Sequence, residues 1–251
     1  MKQVLVVGAT GDVGHGAVAA LLDAGYGVIG ASRGGEKARA LAARYGGRPF
    51  QLVQGSLADE AAGAQLAQTV RACAGGPVAA VIASINHTPE RPETLLDWKA
   101  DALLATINDN LISHFIAAKT LTPLVADGGV YIGVGGGMAD KIFPYYGYNS
   151  MIQAALWMMY RYVDREQKDR RIEIRELIIA AMVRTEAKPD VGEARFNWIL
   201  DREVGEHLTA MVREPAAFPG PVQLINSAKG VGRSLVMDLP RQPSPNDVAQ
   251  A

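Results

Sequence analysis

The chain has 251 residues, 49% of them hydrophobic, and a formal charge of −1. That is enough for one large domain with a sizeable core, and it gives no electrostatic case for nucleic acid or an anionic membrane. Cys73 is the single cysteine, and His15, His87, His114 and His207 are far apart, which excludes a disulfide framework and leaves no zinc-ligand spacing.

The predicted elements alternate from the first residues onward. Strands are expected over 3–9, 27–32, 49–55, 77–84, 128–135, 172–180 and 221–226. Helices are expected over 12–24, 36–45, 59–73, 103–126, 146–166 and 198–213. The strands are continuous Val/Ile/Leu runs, as in "QVLVVGA" and "PVAAVIAS", so they read as buried on both faces. Seven such strands joined by helices predict a mainly parallel, doubly wound α/β sheet. One domain over 1–239 is expected, followed by a loose, Pro-rich tail over 240–251. The chain enters a strand at once, without the apolar region of a secretion signal, and no apolar run reaches about 18 residues. A cytoplasmic protein with no membrane span is the expectation.

The sharpest local signal is "VVGATGDVGHGAV" (6–18). Gly8, Gly11 and Gly14 recur every third residue at the turn from the first strand into the first helix. Glycine tolerates the turn and lets the backbone approach a pyrophosphate, and the helix N-terminus offers N–H groups to the anion. After the first strand of a parallel sheet, this predicts a Rossmann-type dinucleotide site. Gly16 is expected to allow close packing of that helix against the sheet. His15 is expected to face solvent.

The end of the second strand selects the cofactor. An NAD site presents an acid about 20 residues after the glycines. Here the sequence reads "GASRGGEK", with Ser32 and Arg33 and no acid at the strand end. Arg33 suits a 2′-phosphate by charge-assisted bonds, and Ser32 donates to the same group. NADP(H) is therefore the expected cofactor, with Lys37 as a further cation.

The order of these features resembles the short-chain dehydrogenase/reductase family over about the first 230 residues. "NDNLISHFIAAKTLTPLV" (108–125) is similar to that family's long central helix, with Asn110 at its usual asparagine. "GGVYIGVGGG" (128–137) is similar to the strand that normally ends in a catalytic serine, and "IEIRELIIAAMVRT" (172–185) to the strand and loop over the nicotinamide. The resemblance implies cofactor contacts at Gly8, Thr10, Gly11, Asp12, Val13, Gly14, Ser32, Arg33, Ser56, Leu57, Ala83, Ser84, Gln153, Val183 and Thr185. It implies hydride transfer between a nicotinamide and a carbonyl or alcohol carbon, and a homodimer or homotetramer. The helix "SMIQAALWMMYRYV" (150–163) carries more apolar surface than one buried face needs, which agrees with association.

The sequence departs from the family pattern where proton transfer is expected. A tyrosine with a pKa near 10 needs a nearby cation for easy proton exchange at neutral pH, and the family supplies a lysine four residues later. "PYYGYNSMIQAAL" (144–156) contains no lysine. One register puts Asn149 and Gln153 at the tyrosine and lysine positions; another puts Tyr148 and Ile152 there. Glycine, at 135 or 136, stands where the serine is expected. Its lack of a side chain is expected to enlarge the pocket, and the N–H groups of Gly135–Gly137 to offer an oxyanion site.

Tyr148 is the leading candidate proton donor and Tyr146 the reserve. Asn110 and Gln153 are the other candidate catalytic residues, with Gln153 on the ribose. Lys141 and His87 are further candidates. The loop over 184–198, ending in Phe196 and Trp198, is expected to act as a lid. Two readings remain open beside an NADP(H)-dependent reductase acting on a small molecule. One is a catalytically silent NADP(H)-binding sensor or structural subunit, and the other an isomerase or lyase on the same fold.

Overall fold

Val4 and Val6 face one side of the first strand and Leu5 and Val7 the other, and all four are buried. Both faces of the sheet are therefore covered, as the continuous apolar runs require. The structure is a computed structural model and describes residues 1–89, 93–167, 169–185, 198–232 and 235–236. The strands are β1 (Gln3–Val7), β2 (Gly27–Ser32), β3 (Phe50–Gln54), β4 (Val78–Ala83), β5 (Val125–Gly136), β6 (Glu173–Ile179), β7 (Met182–Arg184), β8 (Trp198–Leu200), β9 (Val222–Ile225) and β10 (Leu235–Val236). Seven of them form a parallel sheet in the order β3-β2-β1-β4-β5-β6-β9, and β10 adds an antiparallel edge. The seven-stranded, doubly wound Rossmann-type fold expected from the sequence is what the chain adopts.

The helices are α1 (Asp12–Asp23), α2 (Glu36–Arg44), α3 (Glu60–Ala74), α4 (Ala100–Ile107), α5 (Ser113–Leu121), α6 (Gly147–Glu166) and α7 (Asp201–Arg213). One core cluster packs α1, α2 and α7 against Val4, Val6, Ile132 and Leu177 of the sheet. The other packs α3, α5 and α6 against Leu5, Val7, Val81 and Ile174. The long helix expected over 103–126 is α4 and α5 joined by a π-helical turn at Asn108–Ile112. A turn of this kind widens the backbone locally and is frequent at functional sites.

Three details differ from the sequence reading. Gly16 packs against α7 rather than the sheet: a Cβ there would lie 2.0 Å from Asp201 O, and one on Gly205 2.1 Å from Gly16 O. The two helices thus touch backbone to backbone. His15 is not solvent-facing either, since its Nδ1 lies 3.3 Å from Asp201 Oδ2 and its ring is only partly exposed. The helix expected from 198 begins at Asp201, because Trp198–Leu200 pairs in parallel with Met182–Arg184 as a second, two-stranded sheet. The Pro-rich stretch 240–251 and most of the expected lid, including Phe196, lie outside the described residues. No helix among the described residues is long and apolar enough to cross a membrane.

Candidate functional site

β1 sits at the centre of the sheet, with β2 on one side and β4 on the other. Their connections leave in opposite directions, so a crevice opens at the carboxyl ends of β1 and β4. Gly8 turns the chain there with φ of +73°, and a Cβ on it would lie 2.0 Å from Ser84 O. A Cβ on Gly14 would lie 2.1 Å from Gly8 O. These two positions exclude any side chain. Gly11 is different: its N–H donates to Gly8 O at 2.9 Å, and an added Cβ would meet nothing closer than Gly8 O at 3.3 Å. Gly11 also caps α1 without any side-chain hydrogen bond. The first N–H groups of that helix, at Asp12, Val13 and Gly14, have no intrahelical acceptors and form a natural anion site.

A cleft of about 510 Å³ runs from this turn across the ends of β2, β3 and β4. Gly8, Thr10 and Gly11 line it from β1, Ser32, Arg33 and Lys37 from β2 and α2, Ser56 and Leu57 after β3, and Ser84 and His87 after β4. Arg33 is exposed and forms no ion pair with a described carboxylate. Glu36, the first residue of α2, also lines the cleft. Ser32 Oγ accepts the Gly34 N–H at 3.2 Å and so holds the turn that presents Arg33. The residues fit a dinucleotide: side-chain-free backbone beneath the phosphates, a helix N-terminus facing them, and the cations Arg33 and Lys37 along the cleft. Val13 packs against the first core and Ala83 lies in the second, and neither lines the cleft. Val183 packs on the first core from β7, and Thr185 follows it, buried; neither lines the cleft.

Asn110 sits in the π-helical turn and is buried. Its Oδ1 accepts the His87 N–H at 2.8 Å, and its Nδ2 donates to His87 O at 3.0 Å and Thr106 O at 2.9 Å. Both amide protons are used, and the residue pins the loop after β4 to the helix. His87 itself is exposed, 3.9 Å from Asp109 Oδ2.

The far end of the site is the junction of β5 with α6. Gln153 Oε1 accepts the Gly136 N–H at 2.6 Å, and its Nε2 donates to Asn149 Oδ1 at 3.3 Å. The Gly137 N–H donates to Ile179 O at 3.1 Å. Two of the three N–H groups expected to serve as an oxyanion site are thus occupied within the protein. Gly133 and Gly135 do not enlarge the pocket either, because the space beside them is filled from inside, whereas a Cβ on Gly136 would stand at ordinary contact, 3.7 Å from the Gln153 amide. A Cβ on Gly133 would lie 2.0 Å from Tyr160 Cζ, and one on Gly135 2.5 Å from Glu176 Oε1 and 3.0 Å from Gln153 Oε1.

Tyr148, Ile152, Leu156 and Tyr160 recur at four-residue spacing and form the buried stripe of α6. The Tyr148 ring lies 5.0 Å from Trp98 and 6.3 Å from Tyr146, and it is 3% exposed. Burial, with Tyr146 beside it, raises its pKa, so its phenol stays protonated. Tyr146 caps α6 and is 39% exposed. Lys141 is exposed, in a loop whose backbone O accepts the Ser150 hydroxyl. Among the described contacts it reaches neither tyrosine by hydrogen bond or cation–π contact.

The sequence reading passed over a buried polar group of residues behind this junction. His114 Nε2 donates to Ile85 O at 3.0 Å, so its Nδ1 accepts from the Tyr160 hydroxyl at 2.7 Å. Burial lowers the His114 pKa to about 4 and raises that of Tyr160. Glu176, on β6, is 1% exposed, and neither carboxyl oxygen has a hydrogen-bond partner among the described residues. Burial pushes its pKa up to about 8. One signal was available: Arg175 and Glu176 interrupt the apolar run of an interior strand. Arg175 is satisfied by Phe218 O, Ile174 O and the Glu173 carboxylate; Glu176 is not.

Comparisons with known proteins agree with this geometry. The model of a family described as enoyl-(acyl carrier protein) reductase matches residues 8–210. No curated protein matches. Among solved structures, the chain is similar to a short-chain dehydrogenase/reductase from Serratia marcescens, at 20% identity with a TM-score of 0.78, covering 90% of this chain and 96% of that one. It is similar to a dehydrogenase/reductase from Sinorhizobium meliloti, at 17% identity with a TM-score of 0.79, covering 92% and 95%. It is also similar to a short-chain dehydrogenase/reductase described as glucose/ribitol dehydrogenase from Brucella melitensis, at 14% identity with a TM-score of 0.75, covering 90% and 95%. With the family match spanning most of the sequence, over the glycine turn, the crevice and the sheet just described, this chain belongs to the short-chain dehydrogenase/reductase family.

Proposed function

We propose that this protein is an NADP(H)-dependent oxidoreductase of the cytoplasm that acts on a carbonyl or alcohol of a small molecule, with a rebuilt proton-transfer site. The observation that carries the reading is the cleft itself. A side-chain-free phosphate cradle leads to Arg33, Ser32 and Lys37, with no acid at the end of β2. The nicotinamide, when bound, supplies or accepts hydride. Ser32, Arg33 and Lys37 hold the 2′-phosphate, the N–H groups of Asp12, Val13 and Gly14 the pyrophosphate, and Ser56 and Leu57 the adenine side. Ala83, Ser84, Val183 and Thr185 border the nicotinamide half, and the second Nε2 proton of Gln153 is left for the ribose. Tyr148 is the proposed proton donor, with Tyr146 in reserve, and Asn110 holds the loop beside them. Phe115, Met151, Met158 and Tyr162 expose apolar surface on α5 and α6, which supports a homodimer or homotetramer paired through these helices.

Fluorescence titration with NADPH and NADH tests the cofactor, followed by oxidation assays on a carbonyl panel. Tighter binding of NADPH and turnover lost in Tyr148→Phe are expected. No affinity for either nucleotide at millimolar levels would overturn the whole reading. A second reading is favoured by one observation: Tyr148 is buried with no described cation in contact with it. A silent NADP(H)-binding protein would bind NADPH and turn over nothing on the panel.

A further inference from the structure

Glu176 has two carboxyl oxygens, both buried and both without a hydrogen-bond partner among the described residues. A group of this kind is stable only when neutral or when something nearby answers it. What surrounds it is set by two glycines. β5 and β6 pair in register with Gly133 opposite Glu176. Gly133 leaves room for the Tyr160 ring, and Gly135 leaves room for Glu176 Oε1 and Gln153 Oε1. Those two oxygens lie on the same side of Gly135, 2.5 and 3.0 Å from where its Cβ would stand. Gln153 Oε1 already accepts the Gly136 N–H, and beside it an ionised Glu176 oxygen is a second acceptor that repels it; a proton on the carboxyl turns that repulsion into a hydrogen bond.

We propose that Glu176 is a positioning residue of the site: as the neutral acid it donates its proton to Gln153 Oε1, and this keeps the Gln153 amide oxygen on the Gly136 N–H and its nitrogen on Asn149. When the carboxyl proton leaves for solvent, the carboxylate faces the amide oxygen. The amide then turns over to offer Nε2–H to Glu176, and the Gly136 N–H loses its acceptor. The junction of β5 with α6 is thereby switched by one proton.

The groups facing Glu176 do not offset its charge. From β5 these are Gly133, Gly135 and Tyr131, from α6 Gln153 and Tyr160, and from α5 His114 behind the Tyr160 hydroxyl. Its partner on β9 is Val222. Arg175 points the other way along the strand and is held by Phe218 O, Glu173 and Asp164. No described cation faces the carboxyl. Burial alone raises its pKa to about 8, which places the switch within reach of ordinary conditions.

The effect on cofactor affinity rests on the NADP(H) reading above; the positioning itself does not. The full chain is labelled with nitrogen-15, and the Gln153 side-chain amide signals are assigned by their loss in Gln153→Met. In the wild type these signals move with a midpoint near pH 8; in Glu176→Gln, which is neutral at every pH, they stay fixed. Signals that do not move in the wild type, or that keep the same midpoint in Glu176→Gln, overturn the proposal. Should Glu176→Gln not fold, Glu176→Asp asks the same question. Its shorter carboxyl does not reach Gln153, so the titration disappears; an unchanged titration overturns the proposal. NADPH titrations over the same range complete the test. Affinity falls by about three- to tenfold through the midpoint in the wild type and holds level in Glu176→Gln. The same pH dependence in both proteins overturns the positioning role. If neither protein binds NADPH at any pH, the dinucleotide reading fails, and the amide titration still decides the role of Glu176.

Discussion

Two glycine-rich stretches lie at the carboxyl edge of the sheet, and they use the missing side chain in opposite ways. At 8–14, after β1, the backbone turns back on itself and leaves the outer side of Gly11 free, so the room is kept for something other than protein. At the end of β5 and just past it, the room beside Gly133, Gly135 and Gly137 is taken by Tyr160, Glu176, Gln153 and Ala180. The first stretch is open to an anion and the second is packed shut. Glycine alone marks where a Cβ is forbidden; the partner that forbids it decides whether the result is a binding site or a joint in the core.

This contrast can be broken at either end. Gly8→Ala carries the largest expected effect. The residue has positive φ, and its Cβ would fall on Ser84 O, backbone that cannot move aside. The turn must shift, so NADPH affinity falls by about 100-fold or more and stability by about 1–3 kcal/mol, read by fluorescence titration and thermal melting. Gly133→Ala attacks the closed stretch. Its methyl would meet the Tyr160 ring, held in turn by His114. Overpacking by about 1–3 kcal/mol is expected in a melting experiment, with NADPH affinity changing far less than in Gly8→Ala. Comparable losses of affinity in the two variants would erase the distinction.

Arg33→Ala sharpens the open side. The side chain is exposed, so the loss is moderate: about tenfold in NADPH affinity and little in NADH affinity. Equal losses for both nucleotides would remove Arg33 from 2′-phosphate recognition.

The closed side answers to pH. His114 and His207 have pKa values lowered to about 4 by burial, so each binds a proton in the unfolded chain, below 6.5, that it refuses in the fold. Their contribution is present above pH 6.5 and is lost as pH falls toward 4. Glu176 behaves oppositely: its folded pKa is raised from 4.5 to about 8. Its contribution is present below 4.5 and is lost as pH rises through 8. From these three groups, stability rises toward pH 6.5 and then declines by up to ~1.4 kcal/mol per pH unit until about pH 8. Melting temperatures across this range should show the decline, and Glu176→Gln should flatten it and steepen the rise between pH 4.5 and 6.5, where the Glu176 titration had offset part of the histidine contribution.

The sequence by itself determined the layers, the sheet and the phosphate turn. These follow from contacts between neighbours in the chain: apolar runs of strand length, helices between them, and three glycines at three-residue spacing where a strand becomes a helix. Ser32 and Arg33 were legible for the same reason, since the end of β2 follows the glycine turn in a fixed unit. Only the tertiary structure decided what fills each space without a side chain. Gly16 meets Gly205, Gly133 meets Tyr160, and Gly135 meets Glu176 and Gln153, and each pair lies far apart in sequence. The pairing of β7 with β8 was likewise invisible, because three-residue strands carry too little pattern to be read alone. Such contacts depend on the register between β5 and β6 and on how α6 settles over them. Local composition does not encode that register; it is set when the two faces of the sheet close around their cores.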